Sequence, residues 1–361
     1  MLSANLIEAK VYLIFYRKRC WSMSITIKHI AAQANVSAAT VSMVINNKPG
    51  ISPATREKVL NIVQASGYNI SPLKSALAKN SGTIQLTIYK KHSQVVSDTA
   101  FFQSLIAGIE SKASANGYQL TIKTVSSRQL DSDIIRAGWD ENAVDGILLL
   151  GTEMQREDLL NILKVDTPVL VLDTCFMDIP ANYVVIDNIS GAFLGVNHLI
   201  EHGHRNIGYL KSSICIQNFS ERYEGYIKAM HTSNLAHHRD DTIPLHPTIE
   251  GAHRDMAAYL ATNPDLPTAF LSDNDIIAFG AMKALKETGI RIPQDISLLG
   301  FDDMPFCTIT EPSLSTIRVN KEILGNFAVE NLIRFITSKK SYHSKTLLGV
   351  DLVARDSILT I

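Results

Sequence analysis

Little in this sequence points to chemistry that needs a metal, a cofactor or a membrane. It has four cysteines, Cys20, Cys175, Cys215 and Cys307, widely separated and with no C-x-x-C pair. Such spacing argues against a disulfide framework or a zinc site and fits a reducing cytosol. No apolar run is long enough to span a bilayer. Residues 11–16 form a short apolar patch, but Arg17, Lys18 and Arg19 follow it. A secretory leader has its basic residues first. There is no G-x-G-x-x-G, no phosphate-binding P-loop and no G-x-S-x-G nucleophile elbow. These absences argue against an enzyme and predict a cytoplasmic protein without cofactor, metal site or membrane partner.

Net charge is also nearly absent, at −1, but its distribution is uneven. Residues 1–22 carry +3, residues 23–80 carry +5, and residues 81–361 carry −9. A basic head on an acidic body suits a protein that attracts phosphate with one end.

That head contains the most informative segment, residues 26–46, TIKHIAAQANVSAATVSMVIN. Thr26 can cap a first helix whose Ile27, Ile30, Ala31 and Ala34 share a face. Asn35 and Val36 break it. Ser37 can cap a second helix with Val41, Val44 and Ile45 inward and Ala38, Ala39, Ser42 and Met43 outward. Helices joined this tightly predict a helix-turn-helix, whose second member offers its N-terminal residues to a major groove. A loop at residues 46–50 leads to Ser52-Pro53, the cap and first turn of a third helix that ends at Gly67. Residues 68–81 read as a polar linker.

From Ile84 the pattern alternates between strand and helix. Strands are predicted at 84–89, 118–124, 146–150, 168–172 and 183–186, with helices at 102–116, between 124 and 146, and at 191–202. A second series has strands at 207–210, 242–245, 269–272 and 297–300, with helices at 220–233, 251–262 and 276–288. Two such series predict two lobes of parallel sheet with helices on both faces and a cleft between them. Ligands in open α/β sheets sit beyond the C-terminal ends of the strands.

The run ANVSAATVSMVINNKPGIS, with Ala31, Val36-Ser37, Thr40-Val41-Ser42 and Asn46 in order, resembles the N-terminal signature of the lactose-repressor/galactose-repressor (LacI/GalR) family. The order of segments continues to match from about Met23 to Ser357. The resemblance implies an α plus α/β fold: a three-helix helix-turn-helix head at 23–67, a hinge at 68–82, and a two-lobed, doubly wound core like periplasmic binding proteins at 83–361. It places the natural start at Met23, with residues 1–22 an upstream extension.

The function so implied is a ligand-responsive repressor, homodimeric on pseudo-palindromic double-stranded operator DNA and controlled by a small sugar-like effector. Thr26, Ser37, Ala38, Ala39, Thr40, Ser42, Met43, Asn46 and Lys74 would meet DNA, and Leu77 would wedge the minor groove. Met43 stands where many relatives carry Arg, so base readout by this helix is expected to be less polar. Ile70 departs from the usual hinge Pro. Phe101, Phe102, Asn218, Arg222, His246, Asn274 and Asp302 match positions the family uses for its effector. A nucleobase or sugar phosphate is an alternative ligand, and a solute-capture protein is the alternative function. A metal site at His198, His202 and His204 is not expected, because that stretch resembles an ordinary helix end of the family. Asp302-Asp303 lacks a partner for acid–base work. The chain ends without a leucine-heptad tail, so no tetramer is expected.

Overall fold

A computed structural model describes residues 27–45, 50–65, 82–96, 100–126, 144–237, 241–338 and 342–361. Thr26, Asn46, Ile70, Lys74, Leu77, the predicted hinge and the helix expected between 124 and 146 lie outside the described residues. The chain separates into two compact units, residues 1–80 and 81–361.

In the first unit, α1 (Ile27–Ala34), α2 (Ala38–Ile45) and α3 (Pro53–Ala65) surround a small apolar core. Ile30, Ala31, Ala34, Val41, Val44, Val59 and Val63 supply it. Each fully buried Ile or Val contributes roughly 1.5–3 kcal/mol. The α1–α2 turn is tight because Asn35 takes a left-handed conformation, φ 53°, which Asn tolerates better than most residues. Ser37 then caps α2: the Thr40 backbone N–H donates to Ser37 Oγ at 3.0 Å. Ser52 does the same for α3 through Thr55 N–H at 3.3 Å.

The second unit holds two six-stranded sheets. The first has the order β11-β5-β4-β3-β1-β2, from β1 (Gly82–Lys90), β2 (Tyr118–Ser126), β3 (Gly146–Leu150), β4 (Val169–Leu172), β5 (Asn182–Ile186) and β11 (Lys345–Leu348). All its pairings are parallel. The second has the order β12-β10-β9-β8-β6-β7, from β6 (Ile207–Ser212), β7 (Thr242–Leu245), β8 (Ala269–Ser272), β9 (Ser297–Asp302), β10 (Ser315–Arg318) and β12 (Asp351–Val353). Only β12 runs antiparallel, against β10. Central strands such as β3, GILLL, are buried at every residue, as expected for parallel strands covered on both faces.

Helices α4 (Ala100–Ala115), α5 (Arg156–Ile162) and α10 (Lys321–Thr337) accompany the first sheet, and α6 (Asn188–Glu201), α7 (Gln217–Thr232), α8 (Ile249–Leu260) and α9 (Asp275–Glu287) the second. The chain therefore passes between sheets after β5, after β10 and again after β11. The last two crossings have no counterpart in the sequence pattern above, because β11 and β12 are short and partly exposed, without the buried apolar run that marks the equally short β4 and β8. Helices α4 and α10 approach backbone to backbone: a Cβ on Gly108 would strike the Glu322 carbonyl, and one on Gly325 the Leu105 carbonyl.

Several helices start earlier than their apolar periodicity suggests, because a polar cap sits at the preceding strand end. Asp187 caps α6 by accepting from Ser190 N–H at 3.1 Å, and Asn274 caps α9 by accepting from Ile277 N–H at 3.0 Å. The first turns of α4, α6 and α7 carry Phe101, Phe102, Asn188 and Asn218.

Candidate functional site

On the head, Ser37, Ala38 and Ala39 are exposed, and Thr40, Ser42 and Met43 are half-buried. Val41 and Val44 tie α2 to the head core, so the other side of its first turns remains accessible. Ser37 is occupied as the cap, its hydroxyl also 2.8 Å from that of Thr40. Together they form a short hydroxyl-bearing edge at the helix N-terminus, with apolar Ala38, Ala39 and Met43 beside it. Such an N-terminus attracts phosphate through its free N–H groups and dipole.

Within the second unit a cavity of about 280 Å³ opens where both sheets present their strand ends. That is just below the usual range for ligand sites, roughly 300–1,000 Å³. Phe101, Phe102, Asn218, Arg222, Asn274 and Asp302 all line it. His246 does not. It stands just past β7, with Nδ1 3.1 Å from Thr248 Oγ1 and its backbone N–H donating to Asp255 at 2.9 Å. Its ring fills the space left by Gly251, and Pro247 and Thr248 take the place at the wall expected of it.

Arg222 is the hub. Nε donates to Asn188 Oδ1 at 2.9 Å, one terminal nitrogen to the Asp273 carbonyl at 2.6 Å, and the other to Asp302 Oδ1 at 3.0 Å. The guanidinium also lies over the Phe301 ring, 3.8 Å from its centroid. A planar fork with this many fixed partners is rigid before any ligand arrives.

Two carboxylates share the cavity with this cation. Asp173, at the end of β4, accepts from Thr152 Oγ1 at 2.6 Å and Asn218 Nδ2 at 3.0 Å. Burial pushes its pKa up to about 6, against the opposing pull of Thr152, Arg222 and Asn218. Burial likewise raises Asp302, while Arg222 and Lys321 hold it down. Asp302 and Asp303 have φ of 111° and 52°, a conformation that costs a residue with a side chain about 1–3 kcal/mol. Lys321 grips the Asp302 carbonyl, and Arg318 and Arg355 bind the Asp303 carboxylate at 2.7 and 2.6 Å. Burial would raise Asp303, but those hydrogen bonds keep it below the ordinary carboxylate value. The adjacent acids thus have separate tasks: Asp302 lines the cavity, and Asp303 anchors the turn.

Thr152, Asp173 and Phe219 were not anticipated as lining residues. Asp173 directly follows β4 and Thr152 comes two residues after the end of β3, so the strand-end rule extended to those two strands would have found both. A lining that combines polar groups with three phenylalanine rings can hydrogen-bond hydroxyls and cover an apolar ring face.

His202 and His204 are hydrogen-bonded within the fold, and the His198 ring packs on that of His202. His204 has Nδ1 2.9 Å from Thr268 Oγ1 and Nε2 3.1 Å from the Leu359 carbonyl, and His202 Nδ1 is 2.8 Å from the His198 carbonyl. Among the described residues no group of three or more His, Cys, Asp or Glu side chains is placed to hold a metal ion.

Comparison with known proteins assigns the chain. Residues 26–71 match the bacterial regulatory proteins of the lacI family, and residues 196–358 match a periplasmic binding protein-like domain. The ribose operon repressor of Haemophilus influenzae is 31% identical over 340 residues, 93% of this chain and 99% of the relative. This chain belongs to the LacI family. A second relative, the HTH-type transcriptional repressor PurR of Haemophilus influenzae strain PittEE, is 32% identical over 354 residues, again 93% of this chain and 99% of the relative. The lac repressor dimer bound to operator and the anti-inducer ONPF superposes with a TM-score of 0.69 at 25% identity, covering 93% of this chain and 99% of that one. Like its family, this LacI-family chain is a ligand-responsive, DNA-binding transcription regulator. Among its described residues no helix is long and apolar enough to cross a membrane.

Proposed function

We propose that this LacI-family regulator is a cytoplasmic repressor that binds a pseudo-palindromic operator as a homodimer and is released by a small neutral sugar or sugar derivative. The observation that carries the ligand reading is the cavity, whose lining combines Asp173, Asn218, Arg222, Asn274 and Asp302 with the rings of Phe101, Phe102 and Phe219. Two carboxylates against one guanidinium leave the cavity without surplus positive charge for a phosphate, and the guanidinium nitrogens already have protein acceptors. Hydroxyls suit such a wall because they both donate to carboxylates and accept from amides. Asp173 and Asp302 serve here as hydrogen-bond acceptors rather than as an acid–base pair.

On DNA, Ser37, Thr40 and Ser42 position α2 against phosphates and bases, while Ala38, Ala39 and Met43 make apolar contacts of the kind thymine methyls accept. Thr26, Asn46, Lys74 and the Leu77 wedge complete the interface in this reading. Dimerisation is supported by an apolar patch on the second unit. Phe306 and Ile309 are 52% and 70% exposed, and Phe306 packs edge-on against Phe279 on α9. The sugar can act at a distance only by binding the two lobe arrangements with different affinity.

The test is fluorescence anisotropy on DNA upstream of the chain's own gene, titrated at several salt concentrations with a panel of sugars. Ribose comes first, given the name of the relative above. Tight, salt-sensitive, site-specific binding that one sugar weakens is expected. A sugar that strengthens binding makes the protein co-repressed, and sugar binding without a specific DNA site returns the solute-capture reading.

A further inference from the structure

Next to Thr152 stands a carboxylate whose role the cavity contacts alone do not explain. Glu153 is fully buried, at 0% exposure, yet no lysine or arginine is bonded to it among the described residues. Its partners are six consecutive backbone N–H groups in the segment that follows β1. Lys91, His92 and Ser93 donate to Oε2 at 2.8, 2.8 and 3.0 Å. Gln94, Val95 and Val96 donate to Oε1 at 3.1, 2.9 and 2.9 Å. Burial alone would raise this carboxyl, but the backbone donors, Val96 and His92 foremost, hold it below the ordinary value. The segment bends round the carboxylate with Ser93 in the left-handed region, φ 55°. Successive N–H groups curved round one anion form a nest, and here the anion is part of the chain.

The occupied nest is not remote from the ligand site. Ser93, Gln94 and Val95, the middle of the segment, line the cavity. Thr152, the residue before Glu153, also lines it and holds Asp173. One dipeptide after β3 therefore fixes two parts of the wall, a carboxylate through Thr152 and a six-residue loop through Glu153. In this segment the six donors have no strand or helix to join, so Glu153 supplies the acceptors that backbone pairing would otherwise give.

We propose that Glu153 is a positioning residue for the effector: it locks residues 91–96 in their ligand-contacting geometry before the effector arrives, and so sets the effector's affinity without touching it. The inference rests on the reading of this cavity as the effector site. A loop already in place spares the ligand the cost of ordering it. Glu153→Gln keeps the shape but replaces one acceptor oxygen by an NH2 facing three donors. If the loop then holds its competent form a tenth of the time, the apparent dissociation constant rises about tenfold.

The test uses the full chain as wild type, Glu153→Gln, Glu153→Asp, and Leu159→Ala as a control. Leu159 is a fully buried core residue of the neighbouring helix and lies outside the cavity. Amide hydrogen exchange of residues 91–96 is followed without ligand, and affinity for D-ribose and the wider sugar panel by calorimetry. The expected result is fast exchange at 91–96 in Glu153→Gln with the β3 and β4 amides still protected, an intermediate rate in Glu153→Asp, which keeps the charge, and sugar affinity falling in the same order. Leu159→Ala should melt earlier yet keep both loop protection and affinity. Unchanged exchange at 91–96 in Glu153→Gln overturns the proposal, as does faster exchange with unaltered sugar affinity. If the wild type binds no sugar, the effector reading fails separately, and the exchange arm still decides whether Glu153 holds the loop. Should Glu153→Gln fail to fold, Glu153→Asp compared with Leu159→Ala decides by the same two readouts.

Discussion

Arg222→Met keeps most of the length of the side chain and removes its charge, leaving Asp302 buried without its partner. The pair is dry, with the two side chains 4% and 12% exposed, so little is lost to solvent screening. Removing one member of a buried ion pair costs about 3–5 kcal/mol. Asn188 Oδ1 and the Asp273 carbonyl also lose their donors, but those losses do not simply add. Asp302 can take up a proton, water can enter the cavity, and a Met side chain still packs on Phe301. We therefore expect a net loss of ~3–5 kcal/mol in the second unit, or roughly 6–10 °C of melting temperature at about 2 °C per kcal/mol for a domain this large. Scanning calorimetry of the full chain at pH 7.5 measures it, following the transition of that unit. Adding Asp302→Asn to Arg222→Met should restore part of the loss, since it removes the stranded charge. The reasoning is refuted if Arg222→Met melts within about 2 °C of wild type, or if the double variant loses the full sum of the two single changes.

Other consequences can be measured independently. Asp173 has a folded pKa of about 6, above the ordinary 3.8, so the folded state keeps a proton that the unfolded chain has released. Wild type should therefore gain stability relative to Asp173→Asn as pH falls from about 7.5 towards 4, by ~1–3 kcal/mol. Parallel stability curves in denaturant titrations would show that the shift is absent. Ser37→Ala removes the α2 cap and should cost the head about 1 kcal/mol, seen as faster amide exchange in α2 with the second unit unchanged. Phe306→Glu with Ile309→Glu places charge on an exposed apolar patch and should yield a monomer in sedimentation velocity while folding is retained. A mass equal to wild type would exclude that patch as the proposed dimer interface.

The helix-turn-helix could be read from sequence because its determinants are local. Caps at Ser37 and Ser52, a break at Asn35, and the spacing of Ile30, Ala34, Val41 and Val44 lie within a few turns of chain. The strand–helix alternation was readable for the same reason, and strand ends with family order pointed to Phe101, Phe102, Asn218, Arg222, Asn274 and Asp302. His246 satisfied the same strand-end rule, but Gly251 and Asp255 draw it away from the cavity. Thr152 and Asp173 also stand at strand ends, where the same rule reaches them, but what they hold is set by the fold, which brings Thr152 and Asn218 to Asp173 from 21 and 45 residues away.

What the sequence determined by itself was most of the elements as far as β9: periodicity, caps and turn residues are short-range preferences, and they name helices, strands and a DNA-binding head. Which side chains share a cavity, which acid faces it and which only anchors a turn, was decided by tertiary structure. The third crossing between sheets is made by short, partly exposed strands that carry no buried apolar run. Nothing in the sequence around Glu153 singles it out, and only the folding of residues 91–96 around it, about 60 positions away, gives it six donors. Burial and partnership depend on every element at once, whereas local preference depends on a few neighbours.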